Sequence, residues 1–228
     1  HAGTYNEHIV VNKALTIIKP YERIGLITNV QHAHKLQELK RKLELKGKTA
    51  YIGQAGGLAK IDGQILGCDY TTAEKIQDSV DVFLYIGGGN FHPLGVMLKT
   101  RKPVIVVDPY LGVIKNLLEV RNKILGKRRA AITKLLDSSN IGIIVGLKHG
   151  QAKPELAEKI QKQLESKRKK TIILCIREIT PNALDNFKDI AVFVNTACPR
   201  IGVDDHQNFS RPIIPVKEAE DMLAVEND

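Results

Sequence analysis

The chain has no tryptophan, and aromatics make up only 5% of its 228 residues. Sites for single-stranded nucleic acid interleave aromatic platforms with cations. This composition therefore argues against direct nucleic-acid binding, even with a net charge of +9. Cysteine is also scarce: Cys68, Cys175 and Cys198 stand far apart with no CxxC pair, so spacing suggests neither a zinc finger nor a thioredoxin-type site. An odd thiol count in a lysine-rich chain favours a reducing compartment over a disulfide framework, and a cytoplasmic location is expected. No apolar run approaches the roughly 18 residues that a membrane span needs, so no membrane partner is expected. The chain also lacks a nucleophile elbow, a Walker lysine, a His-Glu-x-x-His pair, a Gly-x-Gly-x-x-Gly fingerprint and a paired-carboxylate signal. His1-Ala2-Gly3 reads as the interior of something longer.

What is present is a repeat. The stretch from Ile24 to His32 matches the stretch from Ile141 to His149, each an apolar strand pattern followed by a basic helical pattern. Thr49-Ala50-Tyr51-Ile52 matches Thr171-Ile172-Ile173-Leu174, Asp81-Val82-Phe83 matches Asp189-Ile190-Ala191, and Lys102-Pro103-Val104-Ile105 matches Arg211-Pro212-Ile213-Ile214. Four matches in one order indicate a duplication. Continuous apolar runs of this kind suit strands buried on both faces of a parallel sheet. The expected fold class is α/β, with two duplicated small parallel-sheet, Rossmann-like domains over residues 20–137 and 138–228. Each copy reads strand, helix, strand, helix, strand, helix, strand. Residues 31–46 and 154–169 have the length of crossover helices, and Pro154 suits a first helical turn. A helix is expected over 7–19, within a linker of residues 1–19, and a long helix over 110–138. The basic runs 123–129 and 167–170 fall on helical stretches, where solvated faces and a partner-docking surface both remain open. The first copy carries an insertion of about 14 residues within 53–70, a length more often functional than idle.

In a parallel sheet, ligands bind in the loops at the carboxyl ends of the strands. Those loops hold Asn29, Gln31 and His32; then Cys68; then Gly87-Gly88-Gly89-Asn90-Phe91-His92; then Asp108. In the second copy they hold Lys148 and His149, then Arg177 and Glu178, then Asn195-Thr196-Ala197-Cys198. Gly87 to Asn90 can form either a plain tight turn or a backbone cradle for an anion. Cys68 and Cys198 can be structural thiols or soft ligands of one cluster. Cys175 lies inside an apolar run and is expected in the core.

Gly63-Gln64-Ile65-Leu66-Gly67-Cys68-Asp69, the stretch from Tyr85 to Gly95, and Asn195-Thr196-Ala197-Cys198-Pro199-Arg200-Ile201-Gly202 together resemble the first-step enzymes of diphthamide synthesis. That is the 2-(3-amino-3-carboxypropyl)histidine synthase family. Gly25-Leu26-Ile27-Thr28-Asn29-Val30-Gln31-His32 fits the same pattern, so the resemblance runs from about residue 20 to about residue 217. It implies three similar α/β domains, each offering one cysteine to a 4Fe–4S cluster, with Cys68 and Cys198 as the ligands of the second and third. It implies S-adenosylmethionine at the open iron and radical transfer of its 3-amino-3-carboxypropyl group to a histidine of elongation factor 2. An electron donor and a homodimer, or a heterodimer with a paralogous subunit, are implied as well. Gln31, Gly87, Gly88, Gly89, Asn90, Asp108 and Lys148 are the candidate cofactor-binding residues, from loop position and chemistry. The first domain of the pattern has no counterpart here, and Cys175 does not match its cysteine. The chain is therefore expected to be an inactive fragment. A Rossmann-like module that binds a nucleotide or metabolite without redox chemistry, or a scaffolding subunit, is the alternative.

Overall fold

A computed structural model describes residues 7–198, 201 and 208–225. They form two compact units, His1–Asn122 and Lys123–Asp228. In the first, α1 (Glu7–Ile18) precedes β1 (Arg23–Thr28), α2 (Leu36–Glu44), β2 (Thr49–Tyr51), a four-residue α3 (Thr71–Glu74), β3 (Val82–Ile86), α4 (Phe91–Thr100), β4 (Val104–Val107) and β5 (Ile114–Asn116). The sheet order is β2-β1-β3-β4-β5, parallel except for β5. Ile24, Leu26, Val82, Leu84 and Ile86 face α1 and α2, burying Val10, Ala14, Leu36 and Leu39 with them. Phe83 and Tyr85 occupy the alternate positions of β3 and are fully buried. Burial on both faces explains why these strands read as unbroken apolar runs rather than alternations.

The second unit holds β6 (Asn140–Gly146), α6 (Pro154–Ser166), β7 (Lys170–Ile176), a five-residue α7 (Pro181–Asp185), β8 (Val192–Asn195), β9 (Ile213–Pro215) and α8 (Val216–Val225). Its strands run parallel in the order β7-β6-β8-β9. The helix α5 (Leu118–Asp137) straddles the division between the units. Its later turns bury Ala131 and Leu135 in the second core, and Arg128 pairs with Glu218 of α8 at 2.5 Å.

The ladders align the two copies better than the residues do. A Cβ on Gly25 would lie 2.6 Å from the ring of Phe83, and one on Gly142 would lie 2.6 Å from the ring of Phe193. Phe83 pairs with Val104, and Phe193 with Ile213. Phe83 and Phe193 are therefore counterparts, two residues away from the match of Asp81 with Asp189. Ala50 and Thr171 pair with Ile24 and Ile141, so the insertion is 11 residues, the difference between 171 − 50 and 193 − 83. The same register makes Gly88 the counterpart of Cys198 in the repeat, and Tyr85 that of Asn195.

Three further expectations change. The helix expected over 110–138 starts only at Leu118, because Asp108 Oδ1 accepts from the N–H groups of Tyr110 and Leu111 and turns the chain. Residues 114–116 then add an antiparallel strand to β4. Cys175 is exposed rather than buried, since β7 is an edge strand whose neighbour Ile172 is 45% exposed. An apolar run does not say which strand lies at an edge. Between β8 and β9 the described residues include no α-helix, where the first unit has the ten-residue α4.

Asp81 ties the starts of β1 and β3 together. Its Oδ1 accepts from Arg23 Nη2 at 2.7 Å and Nε at 3.0 Å, and its Oδ2 accepts from Arg23 N at 2.8 Å. The side-chain hydrogen bonds from Arg23 hold its pKa down at about 2. A carboxylate with a depressed folded-state pKa stabilises the fold above its ordinary pKa and loses that contribution as pH falls through the depressed value. The pair's contribution is therefore expected to be complete at pH 5 and to disappear between about pH 4 and pH 2. Urea unfolding across that range should show a shallower acid loss in Asp81→Asn than in the parent. Parallel curves would remove the pair from the account.

Candidate iron–sulfur and cofactor site

In the first unit the strands end in a polar edge. The 53–70 loop is folded onto it as an extra strand-like segment: Thr28 N–H donates to Gly63 O at 3.0 Å, and Ile65 N–H to Thr28 O at 2.8 Å. Gln64 Oε1 accepts from the N–H groups of Lys60 and Ile61. Asp62 Oδ1 accepts from Ala55 N–H, and Lys75 Nζ donates to Gln54 O and Ala55 O. Asp69 accepts from the N–H groups of Thr71 and Leu58. Burial pushes its carboxyl up, but the hydrogen bonds from Thr71, Leu58 and Ala59 outweigh this and lower it. A loop this thoroughly hydrogen-bonded is a built part of the site.

Cys68 is exposed at the end of that loop. The residue before it, Gly67, has the Phe91 ring where a Cβ would be. Tyr70 Oη donates to Gly67 O at 2.9 Å, and the same phenol lies against Gly95 of α4. Cys68 is thus fastened beside the first turns of α4.

The Gly87–Asn90 turn lies at that same helix start. Gly87 (φ +146°) and Gly89 (φ +77°) take backbone conformations that side chains resist. Asn90 occupies the N-cap position of α4 but makes no capping hydrogen bond. Its Oδ1 is buried and has no hydrogen-bond partner among the described residues. Gly88 is exposed, and a Cβ there would lie 3.1 Å from Asp108 Oδ2. Beneath the turn, the hydroxyl of Tyr85 would lie 2.9 Å from a Cβ on Gly87, and burial pushes its pKa up to about 12. His92 stacks on Tyr85 with centroids 6.4 Å apart. His32 is buried 5.6 Å from the Tyr110 ring; burial, then His34, lowers its pKa, while Asp108 opposes them. Gly87, Gly88, Gly89, Asn90 and Asp108 therefore come together. Gln31 is exposed after β1 and gives its N–H to Asn29 Oδ1. Tyr85, Tyr70 and Phe91 support this site; none stands out in the sequence as a candidate, although Phe91 follows the glycine turn and Tyr70 closes the insertion.

In the second unit Cys198 comes shortly after β8. Asn195, 3% exposed, folds the turn: Oδ1 accepts from Ala197 N–H at 3.0 Å, and Nδ2 donates to Cys198 O at 3.0 Å. Thr196 Oγ1 donates to Ile144 O at 2.8 Å. Cys198 is half-buried against the cluster of Ile144, Phe193 and Ile201. Pro199, Arg200 and Gly202 lie outside the described residues. Lys148 comes just after β6, is exposed, and stands 3.8 Å from Glu178 Oε1. Among the described residues no three His, Cys, Asp or Glu side chains gather to hold a metal. Cys68 and Cys198 are free thiols, each at the carboxyl edge of its own sheet. Soft single thiols delivered by separate loops suit a cluster assembled from several segments, as iron–sulfur ligation allows.

A profile of the family described as "Putative diphthamide synthesis protein" matches residues 4–228. The chain belongs to this diphthamide synthesis family. It is 32% identical over 206 residues to the 2-(3-amino-3-carboxypropyl)histidine synthase of Pyrococcus horikoshii, covering 90% of this chain and 58% of that protein. It is 30% identical over 208 residues to subunit 1 of the same synthase from Aspergillus fumigatus, covering 91% of this chain and 46% of that one. The chain thus spans about half to three-fifths of these relatives. Among solved structures, it superposes on Dph2 from Pyrococcus horikoshii with a 4Fe-4S cluster at a TM-score of 0.86 and 30% identity, covering 98% of this chain and 64% of that one. A mixed α/β fold of the diphthamide family is the common ground.

Proposed function

We propose that these residues supply two thiolates, Cys68 and Cys198, to a 4Fe–4S cluster in an enzyme of the first step of diphthamide synthesis. The carrying observation is the placement of each free thiol at the carboxyl edge of its sheet in a chain of this family. The co-substrate is S-adenosylmethionine and the acceptor a histidine of elongation factor 2. When bound and reduced, the cluster supplies one electron that breaks the bond from sulfur to the γ-carbon of the methionine part. The protein's own task is to hold that part. The exposed backbone of Gly88 and Gly89 suits its carboxylate, and Asn90 Oδ1 and Asp108 Oδ2 suit its ammonium group. Gln31 and Lys148 stand at the edges of their units as further contacts. The protein works as a dimer with a second copy or a paralogous subunit, and takes electrons from a separate donor.

A cluster with one open iron takes three thiolates, and two of them come from here. In this reading Cys175 is not the third, another segment or chain supplies it, and residues 1–228 alone are not expected to carry out the transfer. The test is anaerobic reconstitution, then transfer of labelled aminocarboxypropyl from S-adenosylmethionine to elongation factor 2 with dithionite. Activity is expected from the full-length protein and not from residues 1–228. A colourless protein that binds adenine nucleotides would replace this reading with a plain metabolite-binding module. Removing one hydrogen-bond acceptor for a charged group costs about 1.5 kcal/mol or more. Asn90→Ala in the full-length protein is therefore expected to weaken S-adenosylmethionine binding by about 10-fold in calorimetric titration. Unchanged affinity would move the methionine part away from this turn.

A further inference from the structure

The two cysteine loops share a feature although they stand at different points of the repeat. Cys68 comes after the second strand of its copy and Cys198 after the third. In each loop a nearby side chain donates to a backbone carbonyl at or next to the cysteine. Tyr70 Oη donates to Gly67 O at 2.9 Å, and Asn195 Nδ2 donates to Cys198 O at 3.0 Å. We propose that Tyr70 and Asn195 are positioning residues that set Cys68 and Cys198 in place for the cluster. This rests on the cluster reading and adds to it how the thiolates are held.

A residue after a strand end is no longer directed by the ladder, and its side chain swings with its own backbone torsions. Holding the carbonyl of the cysteine, or of the residue before it, removes that freedom. Asn195 does so twice, because its Oδ1 also takes Ala197 N–H and closes the turn around a side chain that is 3% exposed. Tyr70 does so from a phenol wedged on Gly95, with Phe91 set against Gly67 from the same helix. Both anchors sit on regular elements: Asn195 is the last residue of β8, and Gly95 and Phe91 belong to α4. Partners of metal ligands that fix ligand orientation typically matter by 10–100-fold in metal affinity.

The test uses the full-length protein with its cluster. Tyr70→Phe removes one hydroxyl and leaves the ring. Asn195→Asp keeps the acceptor for Ala197 N–H and turns the donor into an oxygen facing Cys198 O; Asn195→Ala removes both. Each is measured for the rate of iron release to a chelator, for the electron paramagnetic resonance spectrum of the reduced cluster, and for thermal unfolding of the metal-free protein. Cys68→Ala and Cys198→Ala serve as references. The expected result is iron release about 10-fold faster and an altered spectrum, with the metal-free protein still folded. Parent-like release and spectrum in both Tyr70→Phe and Asn195→Asp would overturn the proposal. A metal-free variant that has lost its fold would show a structural role instead and overturn the assignment for that residue. If the cysteine references themselves keep a full cluster, the cluster reading has failed and this inference falls with it. If they lose it while Tyr70→Phe and Asn195→Asp do not, only the inference has failed.

Discussion

Cys198→Ala in the full-length protein is expected to abolish cluster binding, cutting iron content and transfer to elongation factor 2 by at least about 100-fold. Changing a mere partner of a metal ligand already costs 10–100-fold, so removing the ligand sets a floor at the upper end of that range. The same result is expected of Cys68→Ala. Cys175→Ala is the contrast. All three thiols are free, and Cys68 and Cys175 are both exposed, so accessibility does not separate them. Position does: Cys175 lies within the edge strand β7, paired in register with Val145, whereas Cys68 and Cys198 lie in loops beyond strand ends. Cys175→Ala is expected to keep parent-like iron, spectrum and turnover. A chain in which Cys175→Ala lost the cluster and Cys198→Ala kept it would reverse the assignment.

The fold was largely legible because its central strands are covered on both faces. Four apolar runs per copy, in matching order, announced a duplicated parallel sheet, and the ladders show that sheet twice. The register of the third strand was not legible. Asp81 and Asp189 look alike, but Asp81 binds Arg23 through its side chain, whereas Asp189 offers its backbone carbonyl to Asn140 Nδ2. The true markers are Phe83 and Phe193, each filling the space left by a glycine on the central strand. Edge position was equally hidden. Thr171 to Ile176 reads as a core strand, and only the sheet order exposes Cys175.

The candidate site was legible where its residues lie in loops. Gly87, Gly88, Gly89, Asn90 and Asp108 stand directly after the carboxyl ends of β3 and β4, and the fold brings them together. Its aromatic supports were less legible. Tyr85 is inside a strand and Tyr70 reads as the end of a glycine-rich insertion; neither differs in sequence from a packing aromatic. The repeat, once aligned on the ladders, adds a relation that residue matching missed. Gly88 occupies the place in its copy that Cys198 has in the other. One copy thus has a thiol at the position where the other has an exposed glycine beside Asp108.

Gly95→Ala offers the sharpest test of how the Cys68 loop is built, because local preference and packing predict opposite signs. Gly95 lies inside α4, where alanine is favoured over glycine by about 1 kcal/mol in helix propensity. Yet a Cβ there would overlap the phenol of Tyr70, with Cε1 at 2.7 Å and Oη and Cζ closer still. Forcing extra volume into a packed contact costs about 1–3 kcal/mol, so net destabilisation is expected despite the propensity gain. A shift of Tyr70 away from the new Cβ would weaken its bond to Gly67 O, beside Cys68, so faster iron loss should accompany the lower stability. Gly126→Ala is the internal control. It too lies within a helix, α5, and nothing stands within 4 Å of its added Cβ, so it should stabilise by about 0.5–1 kcal/mol. Adding Tyr70→Phe to Gly95→Ala removes the oxygen in the clash and should restore part of the lost stability, a coupling of the size expected for residues in contact, without restoring iron retention. Urea unfolding of the single and double variants reads the first effect, and chelator-driven iron release the second. Gly95→Ala and Gly126→Ala shifting stability upward together would show that Tyr70 yields freely and that α4 does not hold the Cys68 loop.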